Sequence, residues 1–310
     1  MEKEKVTNRK KRTKQRNGEA AEKAIKNEAA KAQKPTAEEK FEARNSRYRD
    51  ILENLTIMND VFMRNVLKKQ ECTEYILHVI LKNTDLHVTD QVIQKDYKNL
   101  QGRSAILDCV ARDSKGRQMN VEIQQENEGA SPKRARYHSG LMDMNTLNPG
   151  ENFDKLLESY VIFITREDYF GYGLPIYHID RKIMELKRDF GDEAHIIYVN
   201  AKYRDDTEFG HLMHDLHCKR AQDMYSQVLA KRVQELKETQ KGVKIMSHEL
   251  EKLYNEGIEL GIEKGEMVKA KEVTRSLGEM GMSAEKIAQA VKMSVSVVQE
   301  WLNENVKVQN

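Results

Sequence analysis

Apolar residues along this chain fall into stretches of different rhythm. Residues 1–45 consist mainly of Lys, Glu, Ala and Gln with Pro35 as a breaker, and read as a basic, disordered or partly helical arm without a core of its own. Helical spacing begins at Ile57. Val61, Phe62, Val66, Leu67, Tyr75, Ile76, Val79, Ile80 and Leu81 predict helix to about Lys82, ended by Asn83-Thr84-Asp85. Between Val88 and Gln125 the period switches to two. Its β-branched residues and the turn Asp113-Ser114-Lys115-Gly116 predict a hairpin preceded by another strand. Ser131 as N-cap and Pro132 in the first turn open a helix that runs to Asn145. The near-continuous apolar run Tyr160 to Thr165 predicts a central strand buried on both faces, and Ile176 to Ile179 and His195 to Val199 predict two more. From about Ala221 the chain is helical, with Val228, Leu229, Val233 and Leu236 among dense Lys and Glu.

This order predicts an α/β domain over residues 46–235, a charged helical linker over 236–275 and a small tail over 276–310. A length of 310 residues allows one well-buried domain plus appendages. The charged fraction of 33% and mean hydropathy of −0.76 place much of the rest in solvated tail or exposed helix. A net charge of +2 does not by itself announce a nucleic-acid binder, so distribution decides. Met1 to Arg16 carries Lys3, Lys5, Arg9, Lys10, Lys11, Arg12, Lys14 and Arg16 against Glu2 and Glu4, an arm suited to salt-sensitive attraction by a phosphate backbone. No apolar run is long enough to span a bilayer and no signal-peptide pattern follows the basic start, which predicts a cytoplasmic protein without membrane contact. Cys72, Cys109 and Cys218 lie far apart without CxxC pairing, as buried thiols in a reducing compartment do.

The hairpin carries the chemistry. A turn centred on Lys115 sets Asp108 opposite Glu122, with Leu107 facing Ile123 and Cys109 facing Val121 on the other side of the sheet. Opposed side chains lie ~4.5–5.5 Å apart at Cβ, where two like charges destabilise unless a cation sits between them. A divalent metal is the natural partner. Gln124 points to the same face and is placed to orient a water or a phosphate. A solvent-facing strand edge offers the same pattern, and the hairpin alone leaves both readings open.

The segments LDCVARDSKGRQMNVEIQ and SPKRARYHSGLMDM resemble the PD-(D/E)XK nuclease-family transposases, also called the recombination-promoting nuclease family. Upstream NDVFMRNVL resembles that family's first core helix, and downstream LPIYHID, HIIYVNA and HLMHDLHCKRAQDMYSQVLAKRV resemble its later elements in order, so the likeness covers about Asn59 to Val233. It implies a mixed sheet flanked by helices with a helical C-terminal extension, in a bacterial metal-dependent DNA endonuclease linked to recombination or transposition. It also places the metal-holding acids on Asp108 and Glu122, and Gln124 where the generic signature has lysine. Asp60 is a further acidic candidate, with Glu71 and Glu74 as competitors. The implied cofactor is Mg²⁺, or another divalent cation such as Mn²⁺ or Ca²⁺. The helix bearing Lys133, Arg134, Arg136 and Tyr137 resembles the family's basic second helix, a candidate surface for DNA phosphates. Gln124 in the lysine's place keeps an alternative open, a catalytically decayed DNA-binding or assembly protein of the same fold; an RNA nuclease is a third.

Three other features bear on function. His211, His214, His217 and Cys218 include one helical pair at metal-ligand spacing, His214 with Cys218. No second pair is evident, so packing or capping is the preferred reading over zinc. Gly257, Gly261 and Gly265 recur every fourth residue, as a close-approach face or a weakened helix. MSAEKIAQAVKMSVSVVQEWL resembles a helix-turn-helix whose second helix has Glu300 and Glu304 but few basic residues, favouring packing or self-association over DNA reading. The C-terminal helices are therefore a candidate homo-oligomer surface.

Overall fold

The computed structural model describes residues 37–98 and 102–306; the basic segment Met1 to Arg16 lies outside them. The chain forms two compact units, residues 1–50 and 51–310. In the first, the described residues form the beginning of helix α1 (Ala37–Asn54). Everything that follows concerns the second.

The helix expected from Ile57 to Lys82 is two helices, α2 (Asp60–Leu67) and α3 (Gln70–Leu81), separated by an extended Lys69 with φ −91° and ψ 113°. Neither Pro nor Gly stands at the break. Partners from elsewhere take the carbonyls that the break frees: the Gln91 amide donates to Leu67 O at 2.7 Å and Arg232 Nη2 to Asn65 O at 2.7 Å. Ending a helix leaves carbonyls that must be satisfied, and only the tertiary structure supplies these.

Strands β1 (Val88–Tyr97), β2 (Ala105–Asp113) and β3 (Gln118–Gln124) form an antiparallel meander. The β2–β3 turn is tied by Asp113, whose Oδ1 accepts from the Lys115 and Arg117 amides at 3.0 and 2.8 Å, while Gly116 takes φ +85°, a conformation that favours glycine. Helix α4 (Pro132–Met144), capped by Ser131 accepting from Arg134 N, crosses over to β4 (Ser159–Thr165), parallel to β3. The chain continues through β5 (Ile176–Ile179), β6 (Lys182–Ile183) and β7 (Arg188–Asp189) to β8 (Ala194–Asn200). Strand β8 is parallel to β4, giving a six-stranded mixed sheet of order β1-β2-β3-β4-β8-β5. Strand β5 is a half-exposed antiparallel edge rather than a central strand, and the β6–β7 ribbon had no signal in the period. Its residues cover no second face, so the alternation that marks a strand is missing.

Helices cover both faces. On one, α2 and α3 pack with α5 (Glu208–Asp215) and α6 (Gln227–Glu238) around Phe62, Leu67, Ile76, Val121, Ile162 and Leu229. On the other, α4 packs through Ala135, Leu141 and Met142 on Val161, Phe163 and Tyr198. Each fully buried Leu, Ile, Val, Phe or Met side chain among these contributes ~1.5–3 kcal/mol relative to exposure. The structure is thus mixed α/β with a helical C-terminal extension, as the sequence predicts.

That extension is α7 (Gln240–Glu279), α8 (Ala284–Val291) and α9 (Val295–Val306). Helices α8 and α9 fold back on the end of α7 around Ile287, Ala288 and Val298, joined through Lys292 at φ +57°. Gly278 admits the close approach of Leu302: a Cβ there would lie 2.6 Å from its Cδ2. Gly257, Gly261 and Gly265 face open space on an exposed stretch of α7. Among the described residues no helix is long and apolar enough to cross a membrane.

Candidate active site

The hairpin register is the expected one where β2 and β3 pair: Cys109 faces Val121 and Val110 faces Asn120. The ladder stops there. At the next position the Asp108 N–H donates to Glu122 Oε1 at 3.2 Å, and the Asp108 carboxylate accepts from the Ile123 backbone. Two side-chain carboxylates thus fill the place of a backbone pair where the strands splay. The expected partnership of Leu107 with Ile123 on one face is overturned. Leu107 packs with Val110 and Phe163, whereas Cys109, Val121 and Ile123 belong to the opposite cluster. On β1, Gln94 lies between the partners of Cys109 and Leu107 and takes φ +55°, a kink that breaks the simple alternation here.

Glu122 is wholly buried. Its Oε1 also accepts from Asn120 Nδ2 at 3.0 Å, and its Oε2 meets Arg134 Nη2 at 3.3 Å and Gln124 Nε2 at 3.5 Å. Arg134 is further held by the Gly129 carbonyl at 2.9 Å and by His138 Nε2 at 3.3 Å. Asp108 opens onto a cleft of about 490 Å³ lined also by Met58, Asp60, Ile123, Gln124 and Gly129. Asp60 stands at the start of α2 and is paired with Arg64.

Burial, then the charge of Glu122 and that of Asp60, push the Asp108 carboxyl up to about 7. Burial also raises Glu122, opposed by Asn120, the Asp108 amide and Arg134. His138 is pushed down to about 4 by burial and by Arg134. Two neighbouring carboxyls both pushed up by burial mark a site short of positive charge. The donors are carboxylate and carboxamide oxygens, which suit a hard divalent cation. A buried acceptor beside Glu122, Asn120 Oδ1, has no hydrogen-bond partner. The residues present therefore fit a bound divalent ion.

The structure brings Asp60, Asp108, Glu122, Gln124 and Arg134 together. Glu74 is engaged elsewhere, accepting from Val88 N at 2.8 Å, and Glu71 does not line the cleft. Lys133 and Arg136 face away from Glu122 and line a second, apolar groove with Phe170 and Ile196. The Tyr137 hydroxyl donates to the Arg103 carbonyl. His138 and Asn120 were not singled out in the sequence. Their signal was spacing alone: His138 is one turn after Arg134, and Asn120 is two residues before Glu122 on the same strand face.

Among the histidines, His214, Asp215 and Cys218 place ligand-type atoms within 4.8 Å of one another. Both Asp215 oxygens are already used, accepting from the Tyr225 and Ser226 amides at 2.9 and 2.7 Å at the start of α6. His211 stacks on Tyr225 at 3.9 Å, and His217 Nδ1 bonds the Met213 carbonyl at 2.9 Å. These contacts are packing and capping.

No curated protein and no solved structure matches the chain. The family model described as PD-(D/E)XK nuclease family transposase matches residues 53–286, three quarters of the chain and all of the elements that build the cleft. Paired acids at the splayed end of a β-hairpin, followed by a helix that lays Arg134 on the second acid, agree with that match, and the chain belongs to the PD-(D/E)XK nuclease family of transposases.

Proposed function

We propose that this protein is a metal-dependent DNA endonuclease that hydrolyses phosphodiester bonds in recombination or transposition, acting in the cytoplasm. The observation that carries the reading is the Asp108–Glu122 pair: Asp108 lines a cleft with Asp60 and Gln124, and the buried Glu122 stands beside it, its Oε1 3.2 Å from the Asp108 amide. Asp108 and Glu122 would hold the ion, Mg²⁺ first among the divalent candidates. Bound there, it would supply polarisation of a phosphoryl oxygen and a lowered pKa for an attacking water. Gln124 has a carboxamide that can accept from that water through oxygen and donate to a phosphate through nitrogen. Asp60, also lining the cleft, adds negative charge. Three of the five N–H donors of Arg134 are engaged by protein, and the rest can meet a phosphate. Lys133 and Arg136 line the neighbouring groove and would meet DNA phosphates outside the cleft, as would Tyr137, whose hydroxyl is tied to the Arg103 carbonyl. The exposed middle of α7, with Ile258, Leu260 and Ile262, is the surface for self-association.

The test is nicking of supercoiled plasmid by the purified full chain with Mg²⁺ and with chelator, beside an RNA of matching sequence. Nicking that needs the metal and spares RNA is the expected result. DNA binding without cleavage under any divalent ion overturns the enzyme in favour of a binding or assembly protein.

A smaller effect tests the role of Gln124. A Cβ at Gly129 would lie 2.1 Å from Gln124 Oε1, the far end of a flexible side chain. Gly129→Ala should therefore displace the carboxamide at little cost in stability. Cleavage is expected to fall by up to about a hundredfold with the melting temperature nearly unchanged, as read from plasmid nicking beside thermal denaturation.

A further inference from the structure

Arg134 reaches Glu122 by two routes. Its Nη2 meets Oε2 directly at 3.3 Å. Its Nε–H meets His138 Nε2 at 3.3 Å, and Nδ1 of the same ring lies 3.5 Å from Glu122 Oε1. A guanidinium carries donors only, so the imidazole nitrogen facing it must offer a lone pair. A charged imidazolium would set N–H against N–H and cation against cation. The ring is therefore neutral, and its one proton sits on Nδ1, facing Glu122. His138 is 2% exposed and stacks on Phe163 at 5.9 Å, which leaves Nδ1 no water to turn to. It has no aligned acceptor, and the carboxylate oxygen beside it is its nearest candidate.

The two Glu122 oxygens are not equivalent. Oε1 receives the Asp108 amide at 3.2 Å and Asn120 Nδ2 at 3.0 Å, and Nδ1 of His138 lies 3.5 Å from it on the helix side. Oε2 has only the longer contacts to Arg134 and Gln124. We propose that His138 is a positioning residue of the nuclease centre: locked as the Nδ1–H tautomer by Arg134, it helps hold Oε1 and turns Oε2 towards the ion. The inference rests on the proposed nuclease reading. Donors behind a metal-binding carboxylate fix its orientation, and their loss typically weakens metal binding 10–100-fold.

The experiment uses the full chain labelled with ¹⁵N-histidine. Long-range proton–nitrogen correlation in the metal-free state assigns the ring as the signal missing in His138→Phe and again in His138→Asn. The proposal expects a protonated Nδ1 and a bare Nε2, the tautomer that free imidazole populates less. Calorimetry with Mn²⁺ and with Ca²⁺, on variants whose circular dichroism matches that of the unsubstituted chain, reads the second consequence. His138→Phe should bind 10–100-fold more weakly, and His138→Asn, which keeps an N–H near the Nδ1 position, should recover part of that loss. An Nε2–H tautomer, or a Phe variant that binds the ions as tightly as the unsubstituted chain, overturns the proposal. If Glu122→Ala alone abolishes metal binding, the carboxylate centre stands while His138 loses its role. If the unsubstituted chain binds no divalent ion, the nuclease reading and this proposal fall together.

Discussion

Asp108→Asn and Glu122→Gln are each expected to slow metal-dependent plasmid nicking about a thousandfold while leaving the fold intact. Both substitutions keep shape and remove one charge. The carboxamide oxygen of the Glu122→Gln variant can keep the Asp108 amide and Asn120 as donors on the Oε1 side, while its NH2 takes the place of Oε2 and gives up the contact with Arg134; Asp108→Asn keeps an oxygen beside the Ile123 backbone. What is lost is the second negative oxygen that an ion needs. A bound metal supplies several kcal/mol of charge stabilisation to a phosphoryl-transfer transition state, and ~4 kcal/mol corresponds to about a thousandfold in rate. Initial nicking rates at saturating Mg²⁺ check the figure. Unchanged rates in both folded variants would place the chemistry elsewhere or in a contaminant.

The second large effect is on stability. Asp108 is held up to about 7 in the folded chain against an ordinary 3.8, with burial the first cause and the charges of Glu122 and Asp60 following. A carboxyl whose folded value is raised binds its proton more tightly in the native state than in the unfolded one. Its favourable contribution is thus fully present below about 4 and is lost as pH rises through about 7. Allowing for partial solvent access, the loss is of order 3 kcal/mol, or roughly 5–10 °C in melting temperature for a domain of this size. Thermal denaturation of the metal-free protein between pH 4 and 8 should show this fall, and the difference from Asp108→Asn isolates it from other titrations. The variant should melt higher than the unsubstituted chain at pH 8. Divalent ion at a hundred times its dissociation constant should restore ~2.7 kcal/mol to the unsubstituted protein and little to the variant. A variant that melts at or below the unsubstituted chain at pH 8 would show that the two carboxyls do not strain one another.

Other charged groups in the chain contrast with this pair. Asp168 is lowered by the Tyr177 hydroxyl and by the amides of Gly173, Gly171 and Phe170 despite some burial, and its oxygens organise a loop. Burial is the first cause at both cleft acids: Glu122 is raised although it accepts from Asp108, Asn120, Arg134 and Gln124, and Asp108 is raised beside it. Burial that outweighs the donors separates a carboxyl suited to a cation from one that holds a loop together.

Local pattern determined much of this protein. The switch from period 3.6 to period 2 at Val88, the Asp113–Gly116 turn and the Ser131-Pro132 helix start are each written in a few adjacent residues, and each element formed where those residues put it. Because a hairpin's register follows from its turn, the pairing of Cys109 with Val121 was legible before any coordinates, and with it the nearness of Asp108 to Glu122 just beyond the end of the ladder. The family resemblance, carried by a few short segments, extended that pair to the proposed nuclease site. What only the tertiary structure decided depends on groups far apart in sequence. The break between α2 and α3 is stabilised by Gln91 and Arg232. The edge position of β5 follows from its pairing with β8, and the move of Leu107 to the other face accompanies a kink on the neighbouring strand. The same is true of the site's second layer. Nothing in the residues around His138 marks it as the ring between Arg134 and Glu122, because that role exists only once α4 lies across β3, where burial removes water and leaves each nitrogen a single partner to face.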